Sequence, residues 1–474
     1  MIAPARVAAY QALRAVSAGG ADLPTAVATA RGRLTDDRDR ALVTDIAVGV
    51  QRWRAAIDHL IVAFSKRRLD RLDPEILEIL RLSAYQLLHL TRVPASAVVD
   101  DAVDLAKRAG KKSASGFVNA MLRTVSRRRA SLPLPPRPAA PGGKASDDSR
   151  EAALDYLSIT LSHPRWLVER WYDRFGFGDA EAWCVFNNTP APLTLRANRL
   201  RTTPQQLVER LAADDVHVRP ARYAPDALIV VDGLPLRTPG IESGLFVVQD
   251  EASQLVAVAA NAQPGMRVLD ACASPGGKTS AMAADMRLAR RAAEHEGTVR
   301  RSPEAEGGVL VACDVRARRM DLLRQTIAAT GGNVHLVRTD LLRPLPFTRP
   351  FDLVVVDAPC SGAGTLRRDP DIRWRRREQD LASLAAAELT MLQRAADAVA
   401  PGGRLLYATC SSEPEENEAI ADAFLRTTPA FAGVDLRVVA PALAVDLVDR
   451  RGHLRTEPHR HQLEAFFAAA FVRI

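Results

Sequence analysis

Two short blocks of this 474-residue chain bring together a carboxylate, two thiols and small residues. The first, Asp357-Ala358-Pro359-Cys360-Ser361-Gly362, follows Phe351-Asp352-Leu353-Val354-Val355-Val356, an apolar run rich in β-branched side chains. Such a run is predicted to form a parallel strand buried on both faces. In open α/β sheets ligands sit beyond the carboxyl ends of the strands, so Asp357 and Cys360 are placed to face a crevice. A lone Cys after a strand is more often a small packed hydrophobe. The second block changes that balance. Gly403-Arg404-Leu405-Leu406-Tyr407-Ala408-Thr409-Cys410-Ser411 is another apolar strand ending in a thiol. Two thiols at strand ends, together with a glycine loop described next, are hard to explain as packing.

A third block belongs with them. Asp270-Ala271-Cys272-Ala273-Ser274-Pro275-Gly276-Gly277-Lys278-Thr279 follows a predicted strand and opens a helix. Its glycines allow close backbone approach, and a helix N-terminus offers free N–H donors. The end of the block fits a phosphate-binding G-x-x-x-x-G-K-[ST] loop, but Cys272 stands where its first glycine belongs. A cofactor carrying a carboxylate and an adenosine suits the loop better. The next two strands also end in acids, Asp314 and Asp340. An acid after the second strand can accept from ribose hydroxyls, and one after the third can take the adenine amine. One strand-end Asp is often only a helix cap. Four in succession (Asp270, Asp314, Asp340, Asp357) are expected to ring a ligand.

The elements that must position these residues fall into a multidomain chain. A hydrophobic fraction of 47% and a charged fraction of 25% are those of a globular protein, with no apolar run of transmembrane length. Charge follows Met1 too closely for a signal peptide. The five cysteines are scattered with no Cys-x-x-Cys pair, which argues against a disulfide framework and a zinc site and implies a reducing cytoplasm. The net charge of +8 is uneven: residues 1–130 hold 22 Lys+Arg against 13 Asp+Glu, a net of +9. A basic segment suits a polyanion such as nucleic acid, although an Arg-rich surface alone gives the same count.

Residues 1–130 are predicted all-helical, with Asp73-Pro74-Glu75 as one helix start, Asp73 being its N-cap. Residues 131–150, with five prolines and Gly142-Gly143, form the expected linker. Residues 151–245 are expected to be a small α/β connector module. From 246 to 474 strands and helices alternate, the pattern of a doubly wound, Rossmann-like sheet. Residues 287–308 interrupt it as a charged, small-residue excursion, expected at the surface. Arg367, Arg368, Arg373, Arg375, Arg376 and Arg377 around Trp374 suit phosphate contacts and base stacking, or else a solvated helix face.

Residues 270–279, 357–361 and 407–411 resemble the signature blocks of the RNA cytosine-C5 methyltransferases that use S-adenosylmethionine. The resemblance extends through residues 367–374, 414–418, 248–253 and Asn187-Asn188, and residues 1–130 resemble the NusB-like RNA-binding domain. That pairing marks the RsmB/Sun/Fmu type, which methylates a cytosine of 16S rRNA. It implies an all-α NusB-like domain, a connector and a class I methyltransferase domain in a cytoplasmic, metal-free monomer. It further implies that Cys272, Ala273, Ser274, Pro275, Gly276, Gly277 and Lys278 line the S-adenosylmethionine site. Asp314 would hold the ribose, Asp340 the adenine, and Asp357 would lie between cofactor and base. Cys410 would be the nucleophile that adds to C6 of cytosine, and Cys360 would assist product release. A flipped-out base is required to reach such a pocket.

Two departures stand out. Ser274 replaces an alanine usual in the family, and Glu464-Ala465 precedes Phe466-Phe467 where Asp-Gly is usual. A DNA cytosine methyltransferase would attack with Cys360 and not need Cys410. An amino-methyltransferase would carry Asp-Pro-Pro-Tyr in place of residues 357–360. A tRNA substrate, or a non-catalytic RNA-binding factor with a relic fold, are the remaining alternatives. Residues 1–130 argue against the former, and intact Cys360, Cys410 and Lys278 against the latter.

Overall fold

The structure is a computed structural model and describes residues 2–138, 147–295 and 308–474. The chain divides into two compact units, Met1–Pro190 with Leu366–Glu378, and Ala191–Thr365 with Gln379–Ile474. Among the described residues no helix is long and apolar enough to cross a membrane.

The first unit is helical. Its first 130 residues form helices Pro4–Ser17, Leu23–Arg31, Asp37–Arg52, Arg54–Ser65, Pro74–His89, Ala95–Arg108 and Ser115–Arg127. Helical spacing predicts all but the second, which is short and built from Ala, Val and Thr. Its sequence signal is local: Asp22 accepts from the N–H of Thr25 at 2.8 Å and Pro24 sits in the first turn. Helix Pro74–His89 is buried on nearly every face, Glu78, Arg81 and Gln86 included. Arg81 is satisfied there by Asp58 at 2.7 and 2.8 Å and by Glu78 at 2.5 Å. Tyr85 crosses Gly49, where a Cβ would lie 1.9 Å from the ring, and donates to Asp45 at 2.8 Å. Asp73 precedes this helix as expected but does not cap it; its carboxylate instead faces Lys111 at 3.2 Å.

Residues 131–138 carry no regular structure, and helix Asp147–Asp155 already begins inside the stretch expected to be linker. Pro141-Gly142-Gly143 lies outside the described residues. Helix Arg165–Asn188 breaks at Gly176 (φ 79°) and stacks Trp171 on Trp183, ring centroids 5.0 Å apart.

Arg375 and Arg377 are exposed, as the solvated-face reading expects, but Arg373 and Trp374 are not. Arg373 is only 2% exposed. It donates to the carbonyls of Arg52, Ser162 and Asn187 and to Asn188 Oδ1, at 2.8 to 3.1 Å. Trp374 Nε1 donates to the carbonyl of Gln51 at 2.7 Å. Arg367 lies over the Phe186 ring, 4.3 Å from its centroid. These side chains fasten residues 366–378 to the helices of the first unit. The planar fork of Arg373 meets acceptors that converge only after folding.

The second unit opens with an antiparallel sheet of β1 (Thr194–Ala197), β2 (His217–Pro220), β3 (Ala227–Asp232) and β4 (Phe246–Val248), in the order β2-β3-β1-β4. Helix Pro204–Ala213 packs within it behind a capping box of Thr203 and Gln206. A larger sheet follows: β5 (Arg267–Asp270), β6 (Val309–Asp314), β7 (His335–Arg338), β8 (Phe351–Asp357), β9 (Val399–Thr409), β10 (Phe431–Val434), β11 (Leu454–Thr456) and β12 (Phe466–Arg473). Its order is β10-β12-β9-β8-β5-β6-β7, with β11 also on β12. Strands β5 to β9 are parallel, and β12 runs antiparallel to β9. The weakly patterned β10 and β11 are not foreseen from sequence.

Alternation explains the continuous apolar run of β8. Leu353 and Val355 join the core on one face, Val354 and Val356 that on the other. Helix Gly277–His295 continues nine residues into the stretch expected as a surface excursion. The rest of that stretch, residues 296–307, lies outside the described residues.

Candidate active site

Because β5 is the first strand of the parallel set and lies between β6 and β8, the sheet has its switch point there. The carboxyl ends of β5 and β8 should therefore flank a ligand crevice. A cavity of about 220 Å³ lies at that place. Asp270, Cys272, Ala273, Ser274, Pro275, Gly277, Lys278 and Asp357 line it, joined by Val247, Val248, Gln249, Ser253 and Thr326. Gly276 (φ +105°) lies behind this wall, where a Cβ would come 2.9 Å from Leu323 Cδ1; glycine lets the loop lie flat on helix Ala317–Thr330. The Ser274–Pro275 bond is cis.

The four strand-end acids do not form one ring. Asp270 and Asp357 line the cavity; Asp314 and Asp340 do not. Asp314, 8% exposed, pairs with Arg319 at 3.2 Å and accepts from the N–H of Arg316. Arg319 in turn donates to the carbonyl of Ser274 at 2.8 Å, so Asp314 braces the glycine loop from behind. Asp340 is more exposed and accepts from the N–H of Leu342 in a local turn.

Within the cavity wall, Lys278 Nζ donates to Asp357 Oδ2 at 2.7 Å and lies over the Phe466 ring, 5.7 Å from its centroid. Burial works against the ammonium, but the charge and hydrogen bond of Asp357 outweigh it and hold Lys278 above its usual range. Asp270 is 1% exposed and accepts from the Thr279 hydroxyl at 2.7 Å. Burial pushes its carboxyl up to about 6, against the opposing pull of Thr279. Burial, with Asp270, Asp357 and Asp314 nearby, keeps the Cys272 thiol well above its ordinary value.

The other two thiols are set apart. Asp357 of β8 is in register with Ala408 of β9. The chain beyond each strand therefore emerges at the same edge of the sheet, and Cys360 Sγ comes to 3.4 Å from Cys410 Sγ. Both side chains are half-buried. The bond to Cys410, then burial, holds the Cys360 thiol well above its ordinary value; either sulfur can be the donor in the contact. Gly364, whose N–H donates to the carbonyl of Cys410, accepts from the N–H of Ala465. A Cβ on Gly364 would lie 2.0 Å from the Ala465 carbonyl, so this loop closes only around glycine.

Sequence reasoning missed Gln249, Ser253 and Thr326 in the cavity wall. The first two stand in the block at 248–253, to which the resemblance gave no role. It also missed Glu416, taken up below. The wall suits a zwitterionic nucleoside. Helix Gly277–His295 begins in the cavity wall at Gly277 and Lys278, and the first N–H groups of a helix lack partners within it. Gln249, 8% exposed, carries an Oε1 with no hydrogen-bond partner 3.2 Å from the point a Gly277 Cβ would occupy. Among the described residues no cluster of His, Cys, Asp and Glu could hold a metal ion.

Comparison with known proteins agrees with this layout. The model of the family "16S rRNA methyltransferase RsmB/F" matches residues 257–472. The NusB family model matches residues 3–127, and that of the RsmF/B-like ferredoxin-like domain residues 163–237. A probable ribosomal RNA small subunit methyltransferase B of Bacillus subtilis is 31% identical, across 91% of this chain and 90% of its own. The crystal structure of PH0851 has a TM-score of 0.77 over 99% of both chains at 24% identity, which shows a shared fold. That of NSun6 from Pyrococcus horikoshii with SFG has a TM-score of 0.55, over 65% of this chain and 98% of that one, at 17% identity. Sequence identity across nine-tenths of a relative, together with an all-α NusB unit, a ferredoxin-like module and a mixed-sheet methyltransferase domain, means that this chain belongs to the 16S rRNA methyltransferase RsmB/F family.

Proposed function

We propose that the chain methylates C5 of one cytosine of 16S rRNA, with S-adenosylmethionine as donor, through a covalent bond between Cys410 and C6 of the base. The observation that carries this reading is the pair of thiols 3.4 Å apart beside the Lys278–Asp357 pair. Carbon C5 of cytosine is a weak nucleophile. Addition of a Cys410 thiolate to C6 forms an S–C bond and moves electron density to C5. When bound, S-adenosylmethionine supplies an electrophilic methyl group. After transfer the electrons of the C5–H bond form the C5–C6 double bond and the S–C6 bond breaks; Cys360, hydrogen-bonded to the same sulfur, can give its proton to the departing Cys410 sulfur and take the C5 proton in its place. Asp357 meets the base not as an isolated acid but with Lys278 on its Oδ2, leaving Oδ1 for the pyrimidine ring.

The cofactor assignment is supported by the crevice of about 220 Å³ at the switch point, the helix N-terminus at Gly277 and the unpartnered Gln249 oxygen. The fold neighbour crystallised with SFG, an S-adenosylmethionine analogue, agrees with it. Cys272, Ala273, Ser274, Pro275, Gly276, Gly277 and Lys278 form the cradle in this scheme. Asp314 acts on it through Arg319, and Asp340 would have to leave its local turn to meet adenine. Residues 1–130 serve as the RNA-binding domain, 151–245 as the connector and 246–474 as the catalytic domain.

The test is a pair of variants assayed on unmethylated 16S rRNA. Cys410→Ala should lose both turnover and any adduct. Cys360→Ala should transfer methyl but accumulate a protein–RNA adduct that survives denaturing gels. The opposite pattern reverses the two roles. If both variants turn over without adduct, the covalent mechanism is refuted.

A further inference from the structure

Behind the two sulfurs lies a carboxylate that takes no part in the chemistry above. Glu416 is fully buried. Its Oε1 accepts from the backbone N–H of Ser361 at 2.6 Å, and its Oε2 accepts from the Ser361 hydroxyl at 2.6 Å and from the Ser411 hydroxyl. The two hydroxyl oxygens stand 3.3 Å apart. Ser361 directly follows Cys360, and Ser411 directly follows Cys410. One acceptor group thus holds the residue after each thiol. Its own backbone is held in turn: Tyr407 donates its hydroxyl to the carbonyl of Glu416 at 2.6 Å. Next to it, Asn417 accepts from Thr409 and donates to the carbonyl of Ser411 at 3.0 Å.

We infer that Glu416 is the positioning residue of the thiol pair: it clips the loop of Cys360 to the loop of Cys410 and so fixes the separation of the sulfurs and which one donates to the other. The inference rests on the reading that this pair carries the chemistry. A carboxylate only accepts, and three donors from two loops converge on this one. Parting the loops would leave a buried anion short of partners, the costly half of any hydrogen-bond exchange. The charge also has a direction. Cys360 is faced by Cys410, Glu416, Glu388 and Tyr407, whereas Cys410 is faced by Cys360 and by the cation of Lys278. Burial pushes Glu388 up to about 10, so it is neutral near pH 7 and adds no negative charge of its own. The Glu416 carboxylate thus lies on the Cys360 side of the pair and the Lys278 ammonium on the Cys410 side, so the two sulfurs sit in different fields.

The experiment uses the full chain with Glu416→Gln, which keeps shape but replaces an acceptor oxygen by a donor. A trivalent arsenical that must bind both sulfurs reads their separation. Alkylation of each Cys against pH, mapped by mass spectrometry, reads which thiol holds the proton. S-adenosylmethionine affinity, measured by calorimetry, reports whether the fold is intact. Bridging by the arsenical should fall about tenfold or more, the alkylation midpoint of Cys360 should drop by about one pH unit, and cofactor affinity should stay within about twofold. Unchanged bridging and unchanged midpoints in a cofactor-binding variant overturn the inference. If Glu416→Gln does not fold, Ser361→Ala combined with Ser411→Ala removes both hydroxyls and leaves the carboxylate. Unchanged bridging there overturns it equally. Should bridging fall as expected while Cys410→Ala and Cys360→Ala keep full turnover, the clip stands and the covalent reading falls.

Discussion

Asp270 offers a pH-dependent test whose size follows from its surroundings. It closes β5 inside the cavity wall, and burial raises its carboxyl from 3.8 to about 6. A raised value means that the folded chain holds this proton more tightly than the unfolded chain. Below pH 4 both states keep the proton and the group contributes little. Between pH 4 and 6 the unfolded chain loses it first, so the folded state is progressively penalised, and above pH 6 the penalty is complete. At 1.36 kcal/mol per unit, a rise from 3.8 to about 6 gives a penalty of about 1.6 kcal/mol at pH 5 and about 3 kcal/mol at pH 7 and above. Asp270→Asn removes the ionisation and keeps an oxygen for the Thr279 hydroxyl. Any fixed packing cost of the amide cancels when variant and native chain are compared across pH. Denaturant unfolding of both, without cofactor, at pH 5, 6, 7 and 8 should show the variant gaining about 1.4 kcal/mol on the native chain between pH 5 and 7, and nothing further above. A difference that stays flat, or that grows toward acid, refutes the assignment of a buried, proton-holding Asp270.

Arg373→Lys should destabilise the first unit by about 3–5 kcal/mol, because one ammonium cannot serve four converging acceptors in a buried site. It should appear as an earlier thermal transition; unchanged stability with weaker RNA binding would restore the phosphate-contact reading. Lys66, Arg71 and Lys112 are exposed in the basic first 130 residues. Replacing all three by Ala should lower the salt slope of RNA binding by up to about 0.7 for each phosphate left without its cation, with cofactor affinity unchanged. An identical slope would place the RNA surface elsewhere.

Much of the candidate site was legible because it depends on local pattern. Continuous apolar runs placed Asp270 and Asp357 at strand ends and Cys360 and Cys410 just beyond them, and parallel strands carry their carboxyl ends to one edge of a sheet. The glycine loop announced a helix start for the same local reason. Four equal positions in sequence became two cavity walls, a brace on Arg319 and a local turn, because each carboxylate bonds to the donors the fold brings within 2.7 to 3.2 Å. Arg373 and Trp374 were misplaced because charge and aromaticity suit a nucleic acid and a buried polar knot equally well. Only the convergence of Arg52, Ser162, Asn187 and Asn188 on one guanidinium decides for the knot. Glu416 was present in a recognised block yet carried no legible role. Its donors lie 55 and 5 residues away, on loops at the ends of two neighbouring strands. Sequence alone determined which chemical groups the chain owns and at which end of which strand they fall. Tertiary structure decided their partners, since hydrogen bonds and charge interactions act over a few ångströms of space however far apart in the chain the groups lie.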